Sequence, residues 1–233
     1  MPDFDVLSFR AAREAVLEQI GAACARAARR PEDVELVAVS KTVPPDRLHD
    51  AVAAGLDLLG ENRVQEATAK IPLVPGARWH LIGPLQANKA RRAVELFEAI
   101  ESIDSTTIAR RLDGLSREIR PGRPLEVYLQ VNVDADPAKA GFDPAALEAA
   151  LPELLGLTGL SIAGLMTIGR LAADAEEARP TFRALRELSA RLRDEHPGLG
   201  GGLSMGMTDD YPVAVEEGAT LVRIGRALFG ERQ

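Results

Sequence analysis

The sequence predicts an α/β fold: a single (β/α)8 barrel, the TIM-barrel class, with one additional helix at its N-terminal end. Three observations predict it. Eight short apolar runs recur along the 233 residues. They alternate with helical patterns, as strand–helix units do. They are also apolar on both faces, which suits parallel strands covered on both sides. A closed barrel of this class typically takes ~250 residues with its loops. An open doubly wound sheet alternates in the same way, but no Gly-x-Gly-x-x-Gly follows the first run, which lowers that rival.

Residues 6–28 read as an amphipathic helix. Phe9, Ala12, Val16, Ile20, Ala23 and Ala27 recur at three- and four-residue steps and so share one face. Pro31 closes the segment. The first four strands are expected at 34–40 (VELVAVS), 57–60 (DLLG), 79–83 (WHLIG) and 99–103 (AIESI). The last four are expected at 125–133 (LEVYLQVNV), 160–166 (LSIAGLM), 202–205 (GLSM) and 220–225 (TLVRIG). Among the helices between them, Asp143 is placed to cap one that has Pro144 in its first turn. Gly55 and Gly218 each end a helical pattern just before a strand. No Pro/Ser-rich linker or low-complexity segment interrupts the alternation, so residues 1–233 are expected to form one domain.

Composition removes several classes of function. The chain is 46% hydrophobic and 27% charged, which is globular rather than disordered. A net charge of -7 argues against a nucleic-acid coat. The first residues, MPDFDVLSFR, lack the basic stretch and apolar block of a signal peptide. No apolar run approaches the roughly 20 residues that span a bilayer. The one cysteine, Cys24, excludes an intramolecular disulfide framework and reads as a small packing residue of a cytoplasmic protein. No His, Asp or Glu cluster has metal-ligand spacing.

Barrel chemistry collects at the C-terminal ends of the strands. In order these ends carry Lys41, Glu61-Asn62, Gly83, Asp104-Ser105, Asn132, Met166-Thr167, Ser204 and Arg223-Gly225. Strand ends meet polar loops in any barrel, but Lys41 and Arg223 each continue an apolar strand with a cation. Only four of the 28 basic residues are lysines: Lys41, Lys70, Lys89 and Lys139. A desolvated lysine at a barrel mouth favours its neutral form, a nucleophile able to form a Schiff base. The alternative is a lysine whose ammonium snorkels to solvent. Lys70, at a helix end, Lys89, on a helix, and Lys139, in a loop, are weaker candidates. Arg223 stays charged and needs a carboxylate or a ligand as its partner. Ser204 to Thr208, with Gly206, and Arg223 to Arg226, with Gly225, form glycine-bearing turns after the seventh and eighth strands. Barrels often bind phosphate there, on freed N–H groups. Asp209 and Asp210 suit the first turn of a helix capped by Thr208. Asn62 and His80 could line the pocket, although a His beside a Trp is more often a hydrogen-bonded core residue.

Eight segments, in order, carry a resemblance. They are LVAVSKT (36–42), GENRVQE (60–66), WHLIGPLQANK (79–89), SIDS (102–105), QVNV (130–133), GLMTIG (164–169), LSMGMTDD (203–210) and VRIGRALFG (222–230). The chain resembles the pyridoxal phosphate homeostasis proteins, which share the barrel of the alanine racemase N-terminal domain, the type III fold of pyridoxal-phosphate proteins. The resemblance implies that Lys41 carries pyridoxal 5′-phosphate (PLP) as an internal aldimine. It implies that Ser204, Gly225 and the backbone at Arg226 hold the phosphate, and that Arg223 faces the pyridine nitrogen. Asn62 and His80 look like pocket residues. Arg63 and Lys139-Ala140-Gly141 depart mildly from the usual pattern.

A guanidinium does not readily give up a proton. Arg223 therefore implies a neutral ring nitrogen and a weak electron sink, which disfavours decarboxylation and transamination but leaves racemisation conceivable. In the related racemases a second base is a tyrosine from an additional β domain. The chain is expected to have no space for that domain, and its tyrosines, Tyr128 and Tyr211, are not obvious replacements. The leading expectation is a monomeric carrier that buffers PLP, serves vitamin B6 and amino-acid balance, and passes the cofactor to PLP-dependent apo-enzymes. The alternatives are a racemase or related enzyme acting on a small amino acid, and a phosphate-binding barrel in which Lys41 is merely structural.

Overall fold

A computed structural model describes residues 5–169 and 174–230. The outermost residues of the domain expected over 1–233, namely 1–4 and 231–233, lie outside the described residues. Eight parallel strands close into a barrel in sequential order, with the eighth pairing the first. They are β1 (Glu35–Val39), β2 (Leu58–Glu61), β3 (Arg78–Leu81), β4 (Ala99–Ile103), β5 (Leu125–Gln130), β6 (Leu160–Met166), β7 (Gly202–Met207) and β8 (Leu221–Ile224). The fifth strand is shorter than the sequence suggests. It ends at Gln130, and the chain then turns through a loop in which the Asn132 side chain bonds the backbone of Asp136 in both directions.

The described helices are α1 (Val6–Arg26), α2 (Pro45–Ala53), α3 (Val64–Lys70), α4 (Ala90–Leu96), α5 (Thr106–Ile119), α6 (Pro144–Leu155), α7 (Arg179–Glu195), α8 (Tyr211–Glu216) and α9 (Arg226–Phe229). Helix α1 buries Phe9, Val16, Ile20, Ala23 and Cys24 against the outer layer. It ends two residues early, because Ala28 takes a left-handed conformation at φ 53°. Asp143 caps α6 by accepting from Ala145 N and Ala146 N. The cap expected at Thr208 falls elsewhere. Helix α8 begins after Asp210, whose carboxylate folds back to accept from Met207 N at 2.6 Å, while the Thr208 hydroxyl accepts from Gly225 N.

Two apolar regions result. A large one fills the space between strands and helices. A small one, Val37, Leu58, Tyr128, Met166 and Leu221, draws one residue from each of five strands and fills part of the barrel interior. Alternation along each strand then decides what faces inward. Counting by twos from Val37, Leu58 and Leu221 places Lys41, Asn62, Arg223 and Gly225 on the interior side. Ser40 and Glu61 fall on the opposite side, toward the helices.

Candidate functional site at the barrel mouth

Lys41 lies just past β1, in a turn spanning residues 40–43 that leads to α2. It is half-buried. Its neighbour Thr42 is held at φ 66°, a conformation that a β-branched residue adopts only under constraint. Register sets its surroundings. Val39 pairs with Gly60 on β2, and the β1–β8 pairing carried one step on brings Val39 beside Gly225. Lys41 and Asn62 each lie two residues further on, so Lys41, Asn62 and Gly225 share one mouth. Gly83 packs directly on the Asn62 backbone, where any Cβ would collide. That close approach requires glycine.

Beneath the mouth lies a buried polar chain that crosses the barrel. His80 Nδ1 is 2.7 Å from Glu101 Oε1. The other carboxylate oxygen of Glu101 accepts from Ser204 Oγ at 2.5 Å. Arg223 Nη1 donates to that same Ser204 hydroxyl, and Arg223 Nη2 donates to Thr167 O at 2.8 Å. Arg223 Nη1 stands 3.8 Å from Glu101 Oε2, and both side chains are almost wholly buried. These bonds use two of the five guanidinium donors.

The electrostatics follow from that geometry. Burial alone would make both His80 and Glu101 neutral. For His80 the hydrogen bond and charge of Glu101 outweigh burial, so its pKa is raised. For Glu101, burial is outweighed by His80, by Arg223 and by the Ser204 hydroxyl, so its pKa is lowered. Burial lowers the pKa of Arg223, with Glu101 and Asp210 opposing. The charged form of each of the three is therefore favoured by its partners and opposed by burial.

The two glycine-bearing turns stand side by side. Gly206 has φ 94°, and a Cβ there would lie 2.6 Å from the Ala214 Cβ. Gly225 donates to Thr208 Oγ1 over 3.4 Å, a long bond. The single turn α9 starts directly after Gly225, which leaves its first N–H groups without acceptors inside the helix. The Arg226 guanidinium pairs with Asp209.

The eight residues singled out from the sequence thus fall into two layers. Lys41, Asn62, Gly206, Gly225 and Arg226 belong to the strand ends. His80, Ser204 and Arg223 form the polar layer below them, with the Ser204 hydroxyl engaged by two side chains. Sequence reasoning missed Glu101, the acid that joins that layer. Its signal was present: one carboxylate in the middle of the apolar strand AIESI. It also passed over Lys70, which is buried with Glu61 behind the Lys41 turn. Lys139 is tied down by Asp134 at 3.0 Å and by the carbonyl of Ile168 at 3.1 Å.

The comparisons with known proteins agree with this architecture. The family model described as alanine racemase, N-terminal domain, matches residues 15–233. A pyridoxal phosphate homeostasis protein of Pseudomonas aeruginosa is 44% identical over 225 residues, covering 93% of each chain. The solved structure of PipY from Synechococcus elongatus PCC7942 with PLP bound is 45% identical, with a TM-score of 0.80 over 91% of this chain and 100% of that one. Its PLP-free structure superposes equally well, at a TM-score of 0.81. An alanine racemase of Clostridium difficile 630 shares the fold at 14% identity, with a TM-score of 0.72 over 93% of this chain and 56% of the racemase.

Proposed function

The chain belongs to the pyridoxal phosphate homeostasis proteins, built on the fold of the alanine racemase N-terminal domain, and we propose that it holds PLP as a Schiff base on Lys41. The observation that supports this most directly is the pairing of one amine at the mouth with one buried guanidinium beneath it. The residues fit such a group. Lys41 offers the nucleophile. Gly225, with its long bond to Thr208, has an N–H ready to take a stronger acceptor such as a phosphate oxygen. Asn62 shares the mouth with Lys41, and Arg223 lies in the polar layer beneath it. When bound, PLP supplies an aldehyde to the amine and a ring that can accept electrons.

Arg223 argues against decarboxylation and transamination, the chemistries that need a strong electron sink, although racemisation stays compatible with it. Held by Ser204, Thr167 and Glu101, it would present a permanent cation to the ring nitrogen and keep that nitrogen free of a proton. The tyrosines bear on racemisation instead. Tyr128 lies in the barrel interior, where burial raises its pKa, and the Tyr211 hydroxyl donates to Gln19 on α1. Neither is placed as a second base at the mouth. The protein would thus store PLP in the cytoplasm as a monomer and release it to apo-enzymes. Among the described residues no helix is long and apolar enough to cross a membrane.

The test is the visible absorbance of protein incubated with PLP, followed by borohydride reduction and mapping of the modified lysine. The expected result is visible absorbance that borohydride bleaches as it leaves the reduced pyridoxyl group covalently on Lys41, with neither the absorbance nor the adduct in Lys41→Ala. Protein that takes up no PLP, or traps it elsewhere, refutes the proposal. Chiral chromatography after incubation with single amino acids then separates carrier from racemase, since interconversion at ordinary enzyme rates would overturn the carrier assignment.

A further inference from the structure

Behind the Lys41 turn, on the helix side of the barrel wall, a second polar cluster is buried. Lys70, the last residue of α3, is 8% exposed, and Glu61 at the end of β2 is fully buried. Lys70 Nζ donates to Glu61 Oε1 at 2.7 Å and to the backbone carbonyl of Ser40 at 2.9 Å. The Ser40 hydroxyl donates to the same Glu61 oxygen at 2.9 Å. Glu66, one helical turn before Lys70 and 3.9 Å from its Nζ, accepts from Thr42 N over 3.4 Å. The backbone on both sides of Lys41 is therefore gripped: the carbonyl before it by Lys70, the N–H after it by Glu66.

Stability alone is a poor account of this cluster. A buried ion pair is often no better than apolar residues of the same volume. Here Glu61 Oε2 is also buried without a hydrogen-bond partner among the described residues, an additional cost. What the pair does provide is a fixed attachment for a strained turn. Thr42 sits in the left-handed region, and such conformations persist only where the surroundings hold them. We propose that Lys70 and Glu61 are positioning residues that lock the Ser40–Lys41–Thr42 turn, so that the Lys41 amine is already aimed into the barrel when the aldehyde arrives. The inference rests on Lys41 being the Schiff-base residue.

The experiment compares two ligands. PLP carries the aldehyde, whereas pyridoxine 5′-phosphate has an alcohol in its place and cannot react with an amine. Lys70→Met alone strands a buried carboxylate, so the working variant is Glu61→Gln/Lys70→Met, which removes both charges. This variant is expected to keep wild-type circular dichroism and wild-type affinity for pyridoxine 5′-phosphate. Its PLP affinity should fall by about tenfold, equivalent to ~1.4 kcal/mol, and borohydride-trappable attachment to Lys41 should form more slowly. Adding Thr42→Gly removes the left-handed strain and should recover part of that loss. Unchanged PLP affinity and attachment rate in the folded variant would overturn the inference. So would an equal loss for both ligands, which marks general damage to the pocket. Wild-type protein that attaches no PLP at Lys41 refutes the underlying assignment instead, and the inference with it.

Discussion

Glu101→Gln tests the polar layer with the least change in shape. Glutamine keeps a carbonyl to accept from Ser204 but removes the charge that faces both Arg223 and His80. At the observed 3.8 Å between Arg223 Nη1 and Glu101 Oε2, the lost attraction is about 4 kcal/mol at the effective dielectric suited to protein sites. Breaking a buried pair typically costs ~3–5 kcal/mol. With the Ser204 bond retained, a loss of about 3 kcal/mol is expected. For a chain of this length that is a drop of roughly 6–12 °C in Tm. The loss also depends on pH. The raised His80 contributes fully below its unfolded pKa of about 6.5 and fades as pH rises through its folded value. The lowered Glu101 contributes fully above about 4.3 and fades as pH falls through its folded value. The deficit of the variant should thus be largest between those two pH values and shrink on either side. Urea unfolding of both proteins across that range is the assay. A deficit below about 1 kcal/mol, or one that does not vary with pH, would refute the assignment of Glu101 as the charge partner of Arg223 and His80.

Two further outcomes follow from the same geometry. Gly206→Ala imposes both a left-handed alanine and a Cβ 2.6 Å from Ala214; a loss of at least about 1–2 kcal/mol in urea unfolding is expected, and a neutral result would show that the β7–α8 turn relaxes freely. Arg223→Glu alone would oppose two buried carboxylates, so the informative variant is Arg223→Glu/Glu101→Gln; its bound PLP should show a shifted visible spectrum from a protonated ring nitrogen, and an unchanged spectrum with cofactor still bound counts against Arg223 facing the ring.

Much of the fold was legible because strands buried on both faces leave an unambiguous trace. VELVAVS and TLVRIG place β1 and β8 within a residue or two of their observed bounds. The N-cap at Asp143 was equally plain, since Asp followed by Pro admits few other local structures. Polar residues were harder, because a rim position and a helix-facing position differ by a single step along the strand. Glu61 and Asn62 are adjacent in sequence, yet the first is buried with α3 and the second lies at the mouth. Glu101 and Lys70 were missed for the same reason. Each draws its importance from partners contributed by other elements, which no local pattern reveals. The displaced cap at Thr208 has a similar origin: Asp210 bends back to the Met207 amide rather than forward into its helix.

The polar layer has a consequence for how the barrel assembles. β3 and β4 bring His80 and Glu101; β7 and β8 bring Ser204 and Arg223; the Thr167 carbonyl follows β6. A nascent half of the chain therefore holds either an acid without its guanidinium or a guanidinium without its acid. Sealed away from water, the second half would leave Arg223 short of its counter-ion, at a cost of several kcal/mol, and the first would leave Glu101 with His80 but without the guanidinium. Only the last strand, arriving beside the first, supplies the missing group. The layer that shapes the floor of the site thus also penalises every partly closed barrel, and makes closure favour the complete ring of eight strands.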